Sequence, residues 1–67
     1  MEAITRLEKS GLAVPQIAAA AGVGPAAVRR WKRQECAPNG RTRSRLVEFA
    51  AQRGIVLLAT DFSVSRA

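Results

Sequence analysis

The sequence predicts an all-α fold, a compact bundle of four to five short helices, on three observations. Apolar residues recur at the three-to-four spacing of amphipathic helices over most of the chain. Prolines and glycines fall where helices begin and end, with Pro15 and Pro25 at candidate first turns and Gly11, Gly22 and Gly54 just past candidate last turns. The length, 67 residues, suits one domain near the lower limit at which a chain buries enough apolar surface to fold without staples.

The elements follow in order. A first helix spaces Ile4 and Leu7, and then Leu12, along a charged stretch that Gly11 stops. A second begins at Pro15, whose missing N–H costs nothing in a first turn, and runs to about Ala21. Gly22 ends it, Val23 plugs the gap, and Gly24 with Pro25 restarts a third helix that continues to about Arg33 or Gln34. Pro38 and the Asn39–Gly40 turn signal separate it from a fourth, in which Leu46, Phe49, Ala50 and Arg53 share a side opposite Glu48 and Gln52, and Gly54 closes that helix. The tail has two readings, a short strand through Ile55–Leu58 or a last helical turn through Leu57–Phe62. Residues from Ser63 are expected to fray. The expected organisation is thus a single domain, 1–67, with 55–67 as a dimerisation segment or tail.

Charge is concentrated rather than spread. The net charge is +6, and between Arg29 and Arg45 seven basic residues stand against one acid, Glu35. Such a local imbalance suits a polyanion. A single cysteine, Cys36, allows no internal disulfide, and with no histidine the chain lacks a structural zinc set, so no metal or cofactor is expected. The lack of paired carboxylates at a recognisable spacing, of histidine and of tyrosine removes the usual acid, base and nucleophile sets, which argues against an enzyme. No apolar run approaches the roughly 18 residues of a membrane span, and nothing resembles a signal peptide, so the expected setting is reducing and cytoplasmic.

On a helical wheel the third helix sets Ala27, Val28 and Trp31 on one side and Ala26, Arg29 and Arg33 on the other, with Arg30 and Lys32 flanking the exposed face. The small residues Ala18 to Ala21 let it approach the second helix closely. In this frame Val14 to Arg33 resembles the helix-turn-helix of the Cro and C1 repressor family. Ala18 stands at that family's small position, Gly22 at its turn glycine, and Ile17, Ala21, Val23, Val28 and Trp31 at its apolar positions. The chain departs from the family's pattern at Gly24, Pro25 and Ala26, where Ser, Thr or Gln are usual.

The resemblance implies a lambda-repressor-like fold and a double-stranded DNA partner, with the third helix in the major groove. It implies a small phage or mobile-element regulator that binds a palindromic promoter site as a homodimer and represses, with its own operon as a candidate target. Toxin–antitoxin and anti-CRISPR-associated regulators are of compatible size. Arg29 is the first candidate for base reading because its fork can donate to guanine O6 and N7. Arg30 and Arg33 are further candidates for bases or phosphate, with Ala26 against a thymine methyl and Pro25 beside it. Lys32, Asn39, Gly40, Arg41, Arg43 and Arg45 are candidate phosphate contacts, and Gln16 a lesser one by the resemblance. Trp31 is expected in the core, and Cys36 as an inert thiol. Ile55, Val56, Leu57, Leu58 and Phe62 form the candidate dimer surface. No small-molecule ligand and no membrane are expected. The competing reading is a basic RNA-binding or ribosome-associated protein, which the absence of exposed aromatic platforms disfavours.

Overall fold

Each helix of the protein ends in the same way. The computed structural model describes residues 1–63, in which the chain forms α1 (Glu2–Lys9), α2 (Val14–Ala21), α3 (Pro25–Lys32), α4 (Gly40–Gln52) and a closing 3₁₀ turn, Ala59–Phe62. After each α-helix one residue takes a left-handed backbone: Gly11 (φ 103°), Gly22 (φ 76°), Gln34 (φ 59°) and Gly54 (φ 78°). That residue and its successor donate their N–H groups back to the last turn. The pairs are Gly11 to Glu8 and Leu12 to Leu7, Gly22 to Ala19 and Val23 to Ala18, Gln34 to Trp31 and Glu35 to Arg30, and Gly54 to Ala51 and Ile55 to Ala50. These double closures satisfy carbonyls that a helix end otherwise leaves open. After α1, α2 and α4 the successor is apolar (Leu12, Val23, Ile55) and turns toward the core. After α3 it is the exposed Glu35.

Helix starts are equally local. Gln16 Oε1 accepts the Ala13 N–H at 2.8 Å ahead of α2, and Asn39 Oδ1 accepts the Thr42 N–H at 2.9 Å at the head of α4. Pro25 opens α3 behind an extended Gly24. The bounds agree with the spacing read from the sequence to within about one residue, with α2 beginning at Val14 and α4 at Gly40. Leu12 is the exception, lying beyond the end of α1, where it is buried as part of the closing turn.

The core gathers one apolar stripe from each helix. Ile4, Leu7, Ile17, Val28 and Leu46 are fully buried, and Trp31 is 4 % exposed. α2 lies in the middle, making its broadest contacts with α3 and α4, and its buried Ala18 and Ala21 keep side-chain bulk out of those crossings. Most of α1 rests on α3 and on the closing 3₁₀ turn.

The tail takes the second of its two readings. Residues 55–58 have no regular structure, no strand occurs among the described residues, and the last turn is helical. Asp61 fixes it: Oδ2 accepts the Leu58 N–H at 2.8 Å and lies 3.9 Å from Arg6 Nε of α1. Arg6 also donates to the Val56 carbonyl at 3.4 Å. This clasp turns Leu57 and Phe62 into the core, 5 % and 3 % exposed. The expected fraying from Ser63 falls mainly on residues 64–67, outside the described residues. Among the described residues no helix is long and apolar enough to cross a membrane.

Candidate nucleic-acid interface

One face of α3 is held and the other is open. Val28 and Trp31 anchor the helix, Ala27 is half-buried, and Pro25, Ala26, Arg29, Arg30, Lys32 and Arg33 are all exposed. The burial pattern reproduces the wheel. Arg29, Lys32 and Arg33 line a shallow cleft of about 290 Å³ together with Val14, the first residue of α2. The positive end of the α2 dipole therefore adjoins the basic face of α3, adding to a potential that attracts anions.

The cations differ in what already holds them. Arg29 and Arg30 have no ion-pair partner among the described residues. Lys32 Nζ lies 2.9 Å from Glu8 Oε2 of α1, and Arg33 pairs through Nε with Glu35. Glu8 is a member of the site that the charge pattern did not reveal, and Glu35, the single acid in the basic run, is joined to Arg33 in a way that pattern did not show. Glu8 is 24 positions from Lys32, and only the packing of α1 on α3 joins them. Glu35 is two positions from Arg33, a spacing that points apart on a helix. The left-handed Gln34 between them brings the pair together.

The remaining candidates divide by location. Arg41 and Arg43 stand exposed in the first turn of α4, where the N–H groups of Gly40 and Arg41 precede the first intrahelical bonds. Asn39 spends its side-chain oxygen on the helix cap, as Gln16 does at α2, and in each case the amide nitrogen is left as the outward donor. Arg45 reaches back across α2 so that its Nη1 occupies the space a side chain at Gly22 would need. Gly22 is the residue that ends α2, so the guanidinium lies at the negative end of that helix, a favourable place for a cation. Cys36 is exposed and free. Of the five apolar tail residues, Leu57 and Phe62 serve the monomer core, Ile55 is half-buried, and Val56 and Leu58 remain open at 70 % and 56 %.

The chain matches no family model, no curated protein and no solved structure. The chemistry of the site therefore rests on its geometry. A helix held by one face presents guanidinium groups on the other, beside the positive end of a second helix. Such a surface can donate many hydrogen bonds to anionic oxygens and to acceptor-rich edges.

Proposed function

We propose that the protein is a sequence-specific double-stranded DNA-binding protein, in which α2 and α3 act as a helix-turn-helix similar to that of the Cro and C1 repressors. The observation that carries the reading is α3 itself. It is anchored through Val28 and Trp31, joined to α2 by the left-handed Gly22 turn, and leaves Arg29 and Arg30 exposed with no ion-pair partner among the described residues. A helix so presented suits the major groove, which is wide enough for one helix. Arg29 would read a guanine edge, and Ala26 and Pro25 would pass close to the bases. Arg30, Arg41 and Arg43 would meet phosphate, helped by the amide nitrogens of Gln16 and Asn39 and by the main-chain N–H groups of Gly40 and Arg41.

Function on this reading is occupancy, not catalysis. A protein on a promoter excludes polymerase and so represses, including at its own promoter when the site lies there. One recognition helix reads few base pairs, so a two-fold site bound by a homodimer is the economical arrangement. The exposed Val56 and Leu58, with the half-buried Ile55 between core and solvent, supply its apolar contact.

Titration of the purified chain against a pool of short randomised duplexes, with single-stranded RNA in parallel and the salt varied, tests the proposal. Duplex binding should exceed RNA binding and weaken linearly on a log–log salt plot, with a slope of about −0.9 per phosphate contact. A folded chain that binds RNA in preference to duplex would replace this reading with the ribonucleic-acid one.

A further inference from the structure

The end of α3 departs from the other three helix ends in two ways, and both bear on Arg33. Glycine takes the left-handed position after α1, α2 and α4. After α3 it is Gln34, the one non-glycine residue at positive φ among the described residues. An L-residue pays about 1 to 2 kcal/mol for that backbone. The next residue is apolar at the other three ends and acidic here, and the turn sets its carboxylate against the Arg33 Nε. The pair is exposed on both sides, 67 % for the Arg33 side chain and 52 % for Glu35. An ion pair so wet adds little to folding, so its effect is to be sought in what it does to Arg33.

We propose that Glu35 is a positioning residue for Arg33, holding the guanidinium by its Nε edge so that the two terminal Nη groups stand ready as a fork for a guanine O6/N7 edge. The inference rests on the DNA-binding reading above and adds to it a second base reader, preset where Arg29 is not. The chemistry of the two contacts is separable. The ion pair is made at Nε, the nitrogen nearest the chain, whereas the bidentate geometry that guanine requires is carried by the terminal Nη pair. Holding the side chain in advance removes ordering entropy that a free arginine loses on binding. The same carboxylate repels phosphate, so it weakens attachment to arbitrary duplex while favouring the one geometry in which the fork is satisfied. Lys32 with Glu8 offers no such arrangement, because an ammonium is a point charge without a second edge.

The test uses the full chain as wild type, Arg33→Ala, Glu35→Ala and Glu35→Gln. Each is taken through enrichment from a randomised duplex pool and then titrated against the enriched duplex and a scrambled one at low and moderate salt. Arg33→Ala should lose preference at one base pair. Glu35→Ala should lower preference at that same base pair by about two- to fivefold, the most that so exposed an ion pair can supply by ordering the side chain in advance. Glu35→Gln keeps an oxygen acceptor for Nε and should restore part of the preference. Both Glu35 variants should bind scrambled duplex more tightly than wild type at low salt, a gain that fades as salt rises. Melting temperatures should stay near the wild-type value throughout. Unchanged base preference in Glu35→Ala, a change at a base pair other than the one lost in Arg33→Ala, or an Arg33→Ala that keeps the wild-type preference overturns the inference alone. A wild type that enriches no duplex overturns the DNA-binding reading and this inference with it.

Discussion

Gly22→Ala should destabilise the protein by about 1 to 2 kcal/mol, and the terms can be followed one by one. Gly22 sits at φ 76°, ψ 31°, a conformation that costs an L-residue about 1 to 2 kcal/mol. The new methyl would meet the Arg45 guanidinium. That group is the far end of an exposed side chain and can swing aside, at the loss of its place by the α2 carbonyls, worth about 0.3 to 1 kcal/mol. Against these stands a gain of about 0.4 to 1 kcal/mol from a stiffer unfolded chain. In a domain of this size 1 kcal/mol moves the melting temperature by about 4 to 8 °C, so the variant should melt roughly 5 to 15 °C below wild type. Gly40→Ala is the matched control. Gly40 begins α4 with an ordinary backbone and open space where its methyl would stand, so only the unfolded-state gain applies and stability should rise by about 0.4 to 1 kcal/mol. Circular dichroism melts and urea titrations read both variants. Shifts of the same sign and size at the two positions would refute the argument that the left-handed turn, rather than loss of glycine as such, governs the effect.

Trp31→Ala should cost about 3 to 5 kcal/mol and unfold most of the population, since the ring is 4 % exposed; a cooperative melt near wild type would move Trp31 out of the core. Asp61→Ala removes the acceptor of the Leu58 N–H and one of the two carboxylates beside Arg6, Glu2 being the other, and should lower stability by about 1 to 2 kcal/mol in the same melts. Arg29→Ala should weaken binding of the preferred duplex by about 1 to 3 kcal/mol and relax choice at one base pair, whereas equal weakening on scrambled duplex would reassign it to phosphate. Lys32→Ala should change the salt slope by less than the roughly 0.9 of an unpaired phosphate contact, because Glu8 already neutralises it; a full unit of change would show that the Glu8 pair opens on DNA. Val56→Ser with Leu58→Ser should abolish self-association in light scattering and make the melting temperature independent of protein concentration, and a monomeric wild type at tens of micromolar would remove the dimer.

What could be read from the sequence was what acts locally. Proline in the first turn of a helix and glycine after the last express backbone preferences of single residues, and they marked the starts of α2 and α3 and the ends of α1, α2 and α4. The exposed face of α3 followed from periodicity alone. The end of α3 lacked such a marker: no glycine stands there, and the left-handed backbone falls on Gln34, a residue whose type does not announce it. Contacts between distant elements were equally hidden. Nothing in the spacing joins Lys32 to Glu8 or sends Arg45 across to Gly22. The tail was ambiguous for a different reason, since a short apolar run fits a strand, a core cap or an interface equally well. The Arg6–Asp61 clasp decides which residues of that run turn inward, and it leaves Val56 and Leu58 outside.

That clasp joins positions 50 residues apart, Arg6 and Val56, whereas the helix crossings of α2 with α3 and α4 draw on shorter stretches of chain. Closing a long loop costs entropy before any contact rewards it, so the clasp is expected to form late in folding and to open early in unfolding. The connectivity therefore predicts an order in time, with the helical centre expected to form first and the tail to latch last. Val56 and Leu58 ride on the latch. Any second chain that covers them holds the latch shut, so assembly and completion of the fold become a single equilibrium, and dilution loosens the tail before it loosens α3.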